Sequence, residues 1–149
     1  MPTIKKITST DTFSVRHPVL RSGKPLESCH FDGDILATTS HYGLFLNQEI
    51  IGVLSLFETK NSVFSEKLQF QIRGMAVLKE FQKKGFGASL ILHCEKKCHN
   101  RNGNLIWFNA RTEATAFYEK LGYQKTGIPF EIQDVGEHFL MFKKIKSHF

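Results

Sequence analysis

The strongest constraint on how this chain folds is a short turn with two glycines that joins a strand-like segment to a helix-like one. Residues 68–78 alternate apolar and polar side chains, as a β-strand with one buried face does. Residues 87–100 repeat small and apolar side chains about every 3.6 positions, as an amphipathic helix does. The turn between them contains Gly85 and Gly87. The chain is therefore predicted to pass from strand to helix within a few residues.

A strand-to-helix turn of this kind can bind an anion. Glycine lets the backbone approach a ligand closely and adopt positive φ. The N–H groups in the first turn of a helix lack intrahelical partners, and together with the helix dipole they favour phosphate oxygens. Lys83 and Lys84 add positive charge beside them. The turn alone leaves two interpretations open: a phosphate site, or a tight connection in which the glycines serve packing only.

The net charge favours an anionic partner. The chain has 20 Lys and Arg against 14 Asp and Glu, a formal net charge of +6. Residues 79–101 carry six cationic and two acidic side chains, so a local charge of +4 surrounds the glycine turn. Nucleic acid, an anionic membrane surface or a phosphorylated small molecule would each fit such an excess.

The other elements predict a mixed α+β fold. Strands are expected at residues 3–7, 42–46, 50–57, 105–110, 123–132 and 139–145. Residues 13–20 have a helical pattern that Pro18 is expected to interrupt, and Thr112 is expected to cap a helix that ends at Gly122. The length of 149 residues suits a single domain over residues 1–149.

Cysteine usage and the absence of a leader pattern predict a cytoplasmic protein. Three cysteines cannot all pair within one chain, and residues 1–20 lack the apolar core of a signal peptide. No apolar run is long enough to span a bilayer, so no membrane partner is expected. One helix carries His93, Cys94, Cys98 and His99. The histidines project away from the cysteine face and no second pair lies nearby, so no metal site is expected.

Two motifs together resemble the GNAT acyltransferase superfamily. The first, Gln/Arg-x-x-Gly-x-Gly/Ala at the start of a helix, is present from Gln82 to Gly87. The second, Phe-Tyr-x-x-Leu-Gly-Phe/Tyr at the end of an alanine-containing helix, is present from Phe117 to Tyr123. The resemblance covers residues 70–123, and it implies a central, mostly antiparallel twisted sheet of six to seven strands flanked by helices. That sheet is splayed between the strand at 68–78 and the strand at 105–110, with the thioester in the gap.

The resemblance implies acetyl-CoA as the cosubstrate. The turn amides would bind the CoA pyrophosphate, and the backbone of Met75 and Val77 in the preceding strand would pair with the pantetheine arm. Asn109, at the end of strand 105–110, is a weaker candidate for cofactor contact. The cofactor residues within the turn are Gln82, Lys83, Lys84, Gly85, Phe86, Gly87 and Ala88.

Acyl transfer to an amine requires two proton movements, because the amine loses a proton and the departing thiolate gains one. The resemblance places Tyr118 near the CoA sulfur, so Tyr118 is the predicted acid. The proton acceptor stays open among Glu58, Glu131, His138 and water. Many family members have asparagine where this chain has Arg111. Arg111 is expected either to form a structural ion pair or to supply a charge to the acceptor site.

The predicted activity is N-acetyl transfer to a primary amine by direct attack in a ternary complex. The acceptor would be a small molecule or a peptide, contacted by residues 13–34, 58–66 and 130–136, and a homodimer is plausible. Arg21 and Arg73 are candidates to bind a carboxylate. Several phenylalanines in or near these segments could line an apolar pocket: Phe31, Phe45, Phe57, Phe64 and Phe130.

Two other classes of function remain open on the sequence. A CoA-binding module without turnover would keep the glycine turn but lack a productive acid or acceptor pocket. A basic nucleic-acid-binding domain would use the net charge of +6. The chain has no helix-turn-helix phrase, no zinc-finger spacing and no RNP-like aromatic run, so no nucleic-acid partner is expected.

Overall fold

Seven strands and three α-helices make up the fold, in a computed structural model that describes residues 1–146. The helices are α1 (Phe13–Leu20), α2 (Phe86–Asn100) and α3 (Thr115–Lys120). The strands are β1 (Thr3–Ile7), β2 (Ser40–Leu46), β3 (Glu49–Glu58), β4 (Gln69–Val77), β5 (Leu105–Arg111), β6 (Gln124–Ile132) and β7 (Gly136–Lys144). Short 3₁₀ turns precede α1 and α3 and also lie at Leu26–Cys29 and Lys79–Phe81.

The strands form one sheet in the order β1-β2-β3-β4-β5-β7-β6. The pairs β1–β2, β2–β3, β5–β7 and β6–β7 are antiparallel, whereas β4 and β5 are parallel. The parallel pairing joins Gln69–Gln71 to Leu105–Trp107, while β4 runs on to Val77 and β5 to Arg111. The predicted mostly antiparallel α+β sheet is confirmed, and the splay between its strands stays a prediction.

Local sequence explains the β2–β3 hairpin. Asn47 and Gln48 both have positive φ, 51° and 68°. Two consecutive residues of that kind make the turn whose twist matches the right-handed twist of antiparallel strands. The buried run of β3 then continues from Ile51 to Phe57. The turn fixes the adjacent pairing of Leu46 with Glu49, and a register shift between Leu44 and Phe45 separates it from the rest of the hairpin.

The chain divides into two compact units. The first comprises Met1–Glu58 with Ile72–Lys97, and the second comprises Thr59–Gln71 with the described residues from Cys98 onward. In the first unit Val15, Val53 and Ala76 form a buried cluster with partly buried aliphatic neighbours. In the second, Ile106 and Met141 are fully buried. The predicted single domain over 1–149 stays a prediction, and its last three residues lie outside the described part of the chain.

Two local predictions were wrong. Pro18 lies inside α1 without interrupting it; both Pro18 and Ser14, whose carbonyl loses the helical bond, are exposed, so water can satisfy that carbonyl. Thr112 does not cap the following helix. Its hydroxyl donates to the carboxylate of Glu137 at 2.9 Å, because β7 brings that side chain alongside.

Candidate functional site

The glycine turn lies in the first unit, where β4 is followed by the 3₁₀ turn Lys79–Phe81 and then by α2. Lys83 and Gly85 have left-handed backbone conformations, with φ of 63° and 87°. An added Cβ at Gly85 would meet no heavy atom within 4 Å. The glycine is therefore required for its backbone angle and not for lack of space. This arrangement argues against a packing role for Gly85, and the anion site stays a prediction.

The turn is tied to the strand and to the helix at its two ends. The Gln82 side chain donates from Nε2 to the carbonyl of Val77 at 2.8 Å. At the other end, the Gly85 carbonyl accepts from the Ser89 amide at 3.1 Å. Gly85 thus immediately precedes α2 in the N-cap position, and the N–H groups of the next three residues have no intrahelical acceptor.

The predicted phosphate contacts are open to solvent. Gln82, Lys83, Lys84 and Gly85 are exposed, whereas Phe86, Gly87 and Ala88 are half-buried. The exposed residues carry the two lysine charges, and the half-buried ones contribute the helical N–H groups. Met75 on β4 is half-buried and Val77 is buried. The structure thus places the turn and both pantetheine candidates in the same unit, on consecutive stretches of chain.

Gly74 on β4 was not among the site residues predicted from the sequence. Its φ of +64° is a left-handed conformation inside a strand, which marks an irregularity of the bulge type. An added Cβ would lie 2.9 Å from a ring carbon of Phe31 and 3.1 Å from Nε of Arg16. A lone glycine within an alternating strand pattern is a recognised signal of such a site.

Tyr118 lies in the second unit, in an aromatic cluster. Its ring centroid is 4.5 Å from that of Phe108 and 5.1 Å from that of Phe117. Tyr123 completes the cluster, with its ring 5.0 Å from Phe108. Burial raises the pKa of Tyr118 to about 12. The phenol is therefore protonated across the physiological range and acts as a hydrogen-bond donor.

Asn109 and Arg111 share the exposed face of β5. Both side chains are exposed, whereas Phe108 and Ala110 between and beside them are buried, as strand alternation requires. Asn109 pairs with Leu140 and Arg111 pairs with His138 of β7. Asn109 and Tyr118 thus belong to the same unit, and the cofactor role of Asn109 stays a prediction.

The three protein candidates for the proton acceptor have different surroundings. Glu58 ends β3 and Glu131 lies on β6, and both are exposed. His138 is buried, and its Nδ1 is 2.7 Å from the carbonyl of Gly136. A carbonyl only accepts hydrogen bonds, so Nδ1 donates, and in the neutral ring Nε2 keeps its lone pair.

The histidines and cysteines of α2 have other contacts. Cys94 and Cys98 are buried and form no disulfide with each other. The His93 ring packs against Tyr42 at 5.1 Å, and Nδ1 of His99 is 2.7 Å from the carbonyl of Lys146. Within residues 1–146, no three His, Cys, Asp or Glu side chains gather in a group that could hold a metal ion.

A buried polar network lies beside β4 and was not predicted from the sequence. Arg16 is fully buried, and its two terminal nitrogens bond to both carboxylate oxygens of Asp34, at 2.6 and 3.1 Å. Arg16 also donates to Ser55, whose Oγ lies 2.6 Å from Nδ1 of His41. No sequence signal distinguished Arg16 from the exposed residues of α1, since only the tertiary fold supplies its partner.

Two pKa shifts follow from this network. Burial alone would raise the pKa of Asp34, but the hydrogen bonds from Arg16 and from the Phe31 amide outweigh it, so the pKa is lowered. Burial lowers the pKa of His41, against the opposing effect of Asp34. Nε2 of His41 donates to the Asp34 carbonyl at 2.8 Å. The neutral ring therefore accepts from Ser55, so the hydrogen bonds run from Arg16 to Ser55 and from Ser55 to His41.

The predicted acceptor-side phenylalanines divide by burial. Phe31 and Phe57 are buried, Phe45 and Phe64 are half-buried, and Phe130 is exposed and stacks on His138. Two of the five rings therefore belong to the interior, and two more are partly buried. In residues 1–146, the helices are too short or too polar to cross a bilayer.

Comparison with known proteins relates the chain to acetyltransferases. Residues 29–144 match the family described as the acetyltransferase (GNAT) domain. The chain is 31% identical over 144 residues to the uncharacterized N-acetyltransferase YitI of Bacillus subtilis (strain 168), covering 97% of each chain.

Solved structures show the same fold. The ribosomal-protein-S18-alanine N-acetyltransferase of Escherichia coli has a TM-score of 0.79 at 17% identity, over 100% of this chain and 97% of that one. An aminoglycoside 6'-N-acetyltransferase complexed with coenzyme A has a TM-score of 0.77 at 13% identity, over 99% of each chain.

Proposed function

The chain belongs to the GNAT acetyltransferase family, and we propose that it transfers the acetyl group of acetyl-CoA to a primary amine by direct attack in a ternary complex. The observation that carries the proposal is the left-handed turn at Lys83 and Gly85 that opens α2. It offers a diphosphate the backbone N–H groups at the N-terminus of the 15-residue helix α2, with two lysines beside them.

In the proposed complex the CoA pyrophosphate binds the amides of residues 82–88. The pantetheine arm then runs back along β4, past Val77 and then Met75, because these residues precede the turn on the same stretch of chain. The hydrogen bond from Gln82 to the Val77 carbonyl supports this arrangement, since it holds the phosphate turn against the end of that strand. Asn109 is a further proposed contact to the cofactor.

The proposed chemistry needs no covalent enzyme intermediate. The neutral amine nitrogen attacks the thioester carbon, a C–N bond forms, and the C–S bond breaks with its electron pair going to sulfur. The amine loses one proton and the thiolate accepts one, so charge balances. Tyr118 is the proposed hydrogen-bond donor to the sulfur, the released thiolate takes its proton from solvent, and the amine proton leaves through Glu58, Glu131, His138 or water.

The pKa of Tyr118 defines how it assists. At about 12 it lies above that of an ordinary alkyl thiol, which is about 8.5. Complete proton transfer from the phenol to a free thiolate is therefore unfavourable. Tyr118 is proposed to stabilise the developing thiolate by a hydrogen bond, which requires a protonated phenol at neutral pH.

The test is release of CoA thiol from acetyl-CoA in the presence of a panel of primary amines, with CoA affinity measured in parallel. Amine-dependent thiol release supports the proposal. Tight CoA binding without turnover across a broad panel would instead support a binding module. Failure to bind CoA would remove the phosphate assignment of residues 82–88.

A further inference from the structure

We propose that the acetyl acceptor carries a carboxylate, and that Arg73 of β4, with Arg21 beside it, binds this group. The inference rests on the proposed function, because it takes the acceptor to be an amine that meets acetyl-CoA along β4. The acceptor class would then be amino acids or related amine carboxylates, including the free C-terminal end of a peptide.

The position of Arg73 follows from the direction of β4. The phosphate turn follows the carboxyl end of this strand, and the proposed pantetheine arm runs back past Val77 and Met75. The acyl end of the cofactor therefore points toward the preceding residues. Arg73 lies two positions before Met75, about 7 Å along a strand. It is the first cation that the acyl end approaches on this strand.

The guanidinium of Arg73 is held in place by aromatic rings. Its Cζ lies 5.0 Å from the ring centroid of Phe31 and 5.2 Å from that of Phe57. Nη1 donates one long hydrogen bond, 3.4 Å, to the carbonyl of Asp32. Contact with two rings restricts the planar group without using its donors.

Most donors of Arg73 have no protein acceptor. A guanidinium has five N–H donors, and within residues 1–146 the Asp32 carbonyl is the acceptor found for this one. Arg16 has a different environment, because Asp34 neutralises it through two hydrogen bonds. Burial lowers the pKa of Arg73, and the charge of Arg16 acts in the same direction, whereas Asp34 raises it. A half-buried cation with vacant donors is a suitable partner for a carboxylate, which it can bind through two parallel hydrogen bonds.

Arg21 provides a second cation on the same ring. Its Cζ lies 5.1 Å from the centroid of Phe31, and its side chain donates to the carbonyls of Ser28 and Leu20. No carboxylate of the described chain forms an ion pair with Arg21 or Arg73. The buried Asp34 is already engaged by Arg16, and Asp32 is exposed. The two arginines thus present positive charge that the described residues only partly offset.

The experiment compares matched acceptors that differ only in the carboxylate. β-Alanine, 4-aminobutanoate, 6-aminohexanoate and lysine are each assayed beside the corresponding primary amide, with acetyl-CoA as donor. We expect kcat/KM of the best acid to exceed that of its amide by about tenfold or more, as one charge-assisted hydrogen bond would produce. Arg73→Gln should raise KM for the acid by about tenfold and change KM for the amide by less than about threefold. The variant should therefore lose the preference for the acid over its amide. Arg73→Lys should retain part of it.

Arg101→Gln is the matched control, because Arg101 also lies over a phenylalanine ring, 4.4 Å from the centroid of Phe70. The control should keep the preference. Equal turnover of acids and amides, or an equal loss for both in Arg73→Gln, would overturn the inference and leave amine acetylation intact. If CoA binds and no amine reacts, acetyl transfer itself fails, and calorimetric binding of the same acids and amides to the CoA complex decides the carboxylate site. Equal affinity for acids and amides, or unchanged affinity for the acid in Arg73→Gln, would then refute the carboxylate site.

Discussion

The side-chain amide of Gln82 donates a hydrogen bond to the carbonyl oxygen of Val77, with 2.8 Å between Nε2 and O. Val77 is the last residue of β4, and Gln82 opens the turn that leads into α2. This bond, together with the backbone bond from the Phe81 amide to the Leu78 carbonyl, links the strand proposed to pair with pantetheine to the amides proposed to bind the pyrophosphate. Gln82 is therefore proposed to act on cofactor binding through the backbone that it holds.

Removing this bond should weaken cofactor binding more than it weakens the fold. Gln82→Ala loses one neutral hydrogen bond, worth about 0.5–1.5 kcal/mol, so we expect CoA affinity to fall by about three- to tenfold. Calorimetric titration with CoA measures the change, and urea unfolding measures stability. Gln133→Ala, at an exposed glutamine between β6 and β7, is the control and should change neither. Unaltered CoA affinity in Gln82→Ala would mean that the turn holds its shape without the bond.

The backbone conformation of Gly85 can be tested without introducing a clash. Gly85→Ala places a methyl group in open space but forces an L-residue to φ of +87°. The left-handed conformation costs a side-chain-bearing residue about 1–2 kcal/mol, so the turn should relax and CoA affinity should fall about tenfold. Gly85→Val should abolish CoA binding while the fold survives. Normal affinity in both variants would reduce the turn to a connector.

The charge of Lys83 should act separately from its backbone angle. Lys83→Asn removes the cation, and asparagine tolerates the φ of 63° better than most residues. We expect weaker CoA binding at low ionic strength and a smaller dependence of affinity on salt than in the parent protein. The dissociation constant measured at two salt concentrations gives this difference. The same salt dependence in the variant and the parent would exclude Lys83 from the phosphate site.

Tyr118→Phe should lower turnover by about ten- to a thousandfold with little change in CoA affinity, because it removes only the donor to the sulfur. Steady-state kinetics and CoA titration together measure the two quantities. Since the pKa of Tyr118 is about 12, kcat should show no loss from phenol ionisation up to about pH 10.

The control for this change is Tyr123→Phe, in the same aromatic cluster. Tyr123 packs 6.4 Å from Tyr118 but is almost fully buried, so its variant should affect stability and leave turnover nearly unchanged. Equal activity of Tyr118→Phe and the parent protein would remove Tyr118 from the mechanism.

The buried network predicts a stability that declines in mild acid. The folded protein holds the pKa of His41 below its unfolded value, so the unfolded chain binds more protons below about pH 6.5. The free energy of unfolding should therefore fall between pH 7.5 and 5.5, and urea unfolding at both values measures it. The lowered pKa of Asp34 adds a loss of the same sign at more acidic pH.

His41→Gln should reduce this pH dependence because it removes the titrating ring. His93 contributes with the same sign, since burial and then the nearby Lys97 and Lys96 lower its pKa. The double variant His41→Gln/His93→Gln should flatten the dependence further. An identical slope in the parent and double-variant proteins would show that other groups control it.

Prediction from the sequence worked where structure follows from local pattern. The strand at 3–7, the hairpin at Asn47-Gln48 and the helix after the glycine turn depend on neighbouring residues, and the structure confirms them. The prediction that Thr112 caps a helix was wrong, because its hydroxyl bonds to Glu137, 25 positions away. A capping rule considers only the next few residues and cannot include such a partner.

The candidate site likewise combines features that the local sequence predicted with features that it did not. Its motif residues were readable because the turn from Gln82 to Gly87 requires glycine at a defined backbone angle. The setting of Arg73 between Phe31 and Phe57 was not readable, since these rings come from distant parts of the chain. Charge alone marked Arg73 as a candidate, and only its packing indicates which donors remain available to a ligand.

Periodicity and turn chemistry, which act over a few residues, predicted most of the elements and the position of the glycine turn from the sequence alone, and two motifs carried the resemblance to the family. Tertiary structure alone decided that Arg16 is buried against Asp34, and that Gly74 leaves space for Phe31 and Arg16. The physical reason is that burial and ion pairing depend on which distant segments meet, and a charged side chain is stable inside a protein only where such a partner is supplied.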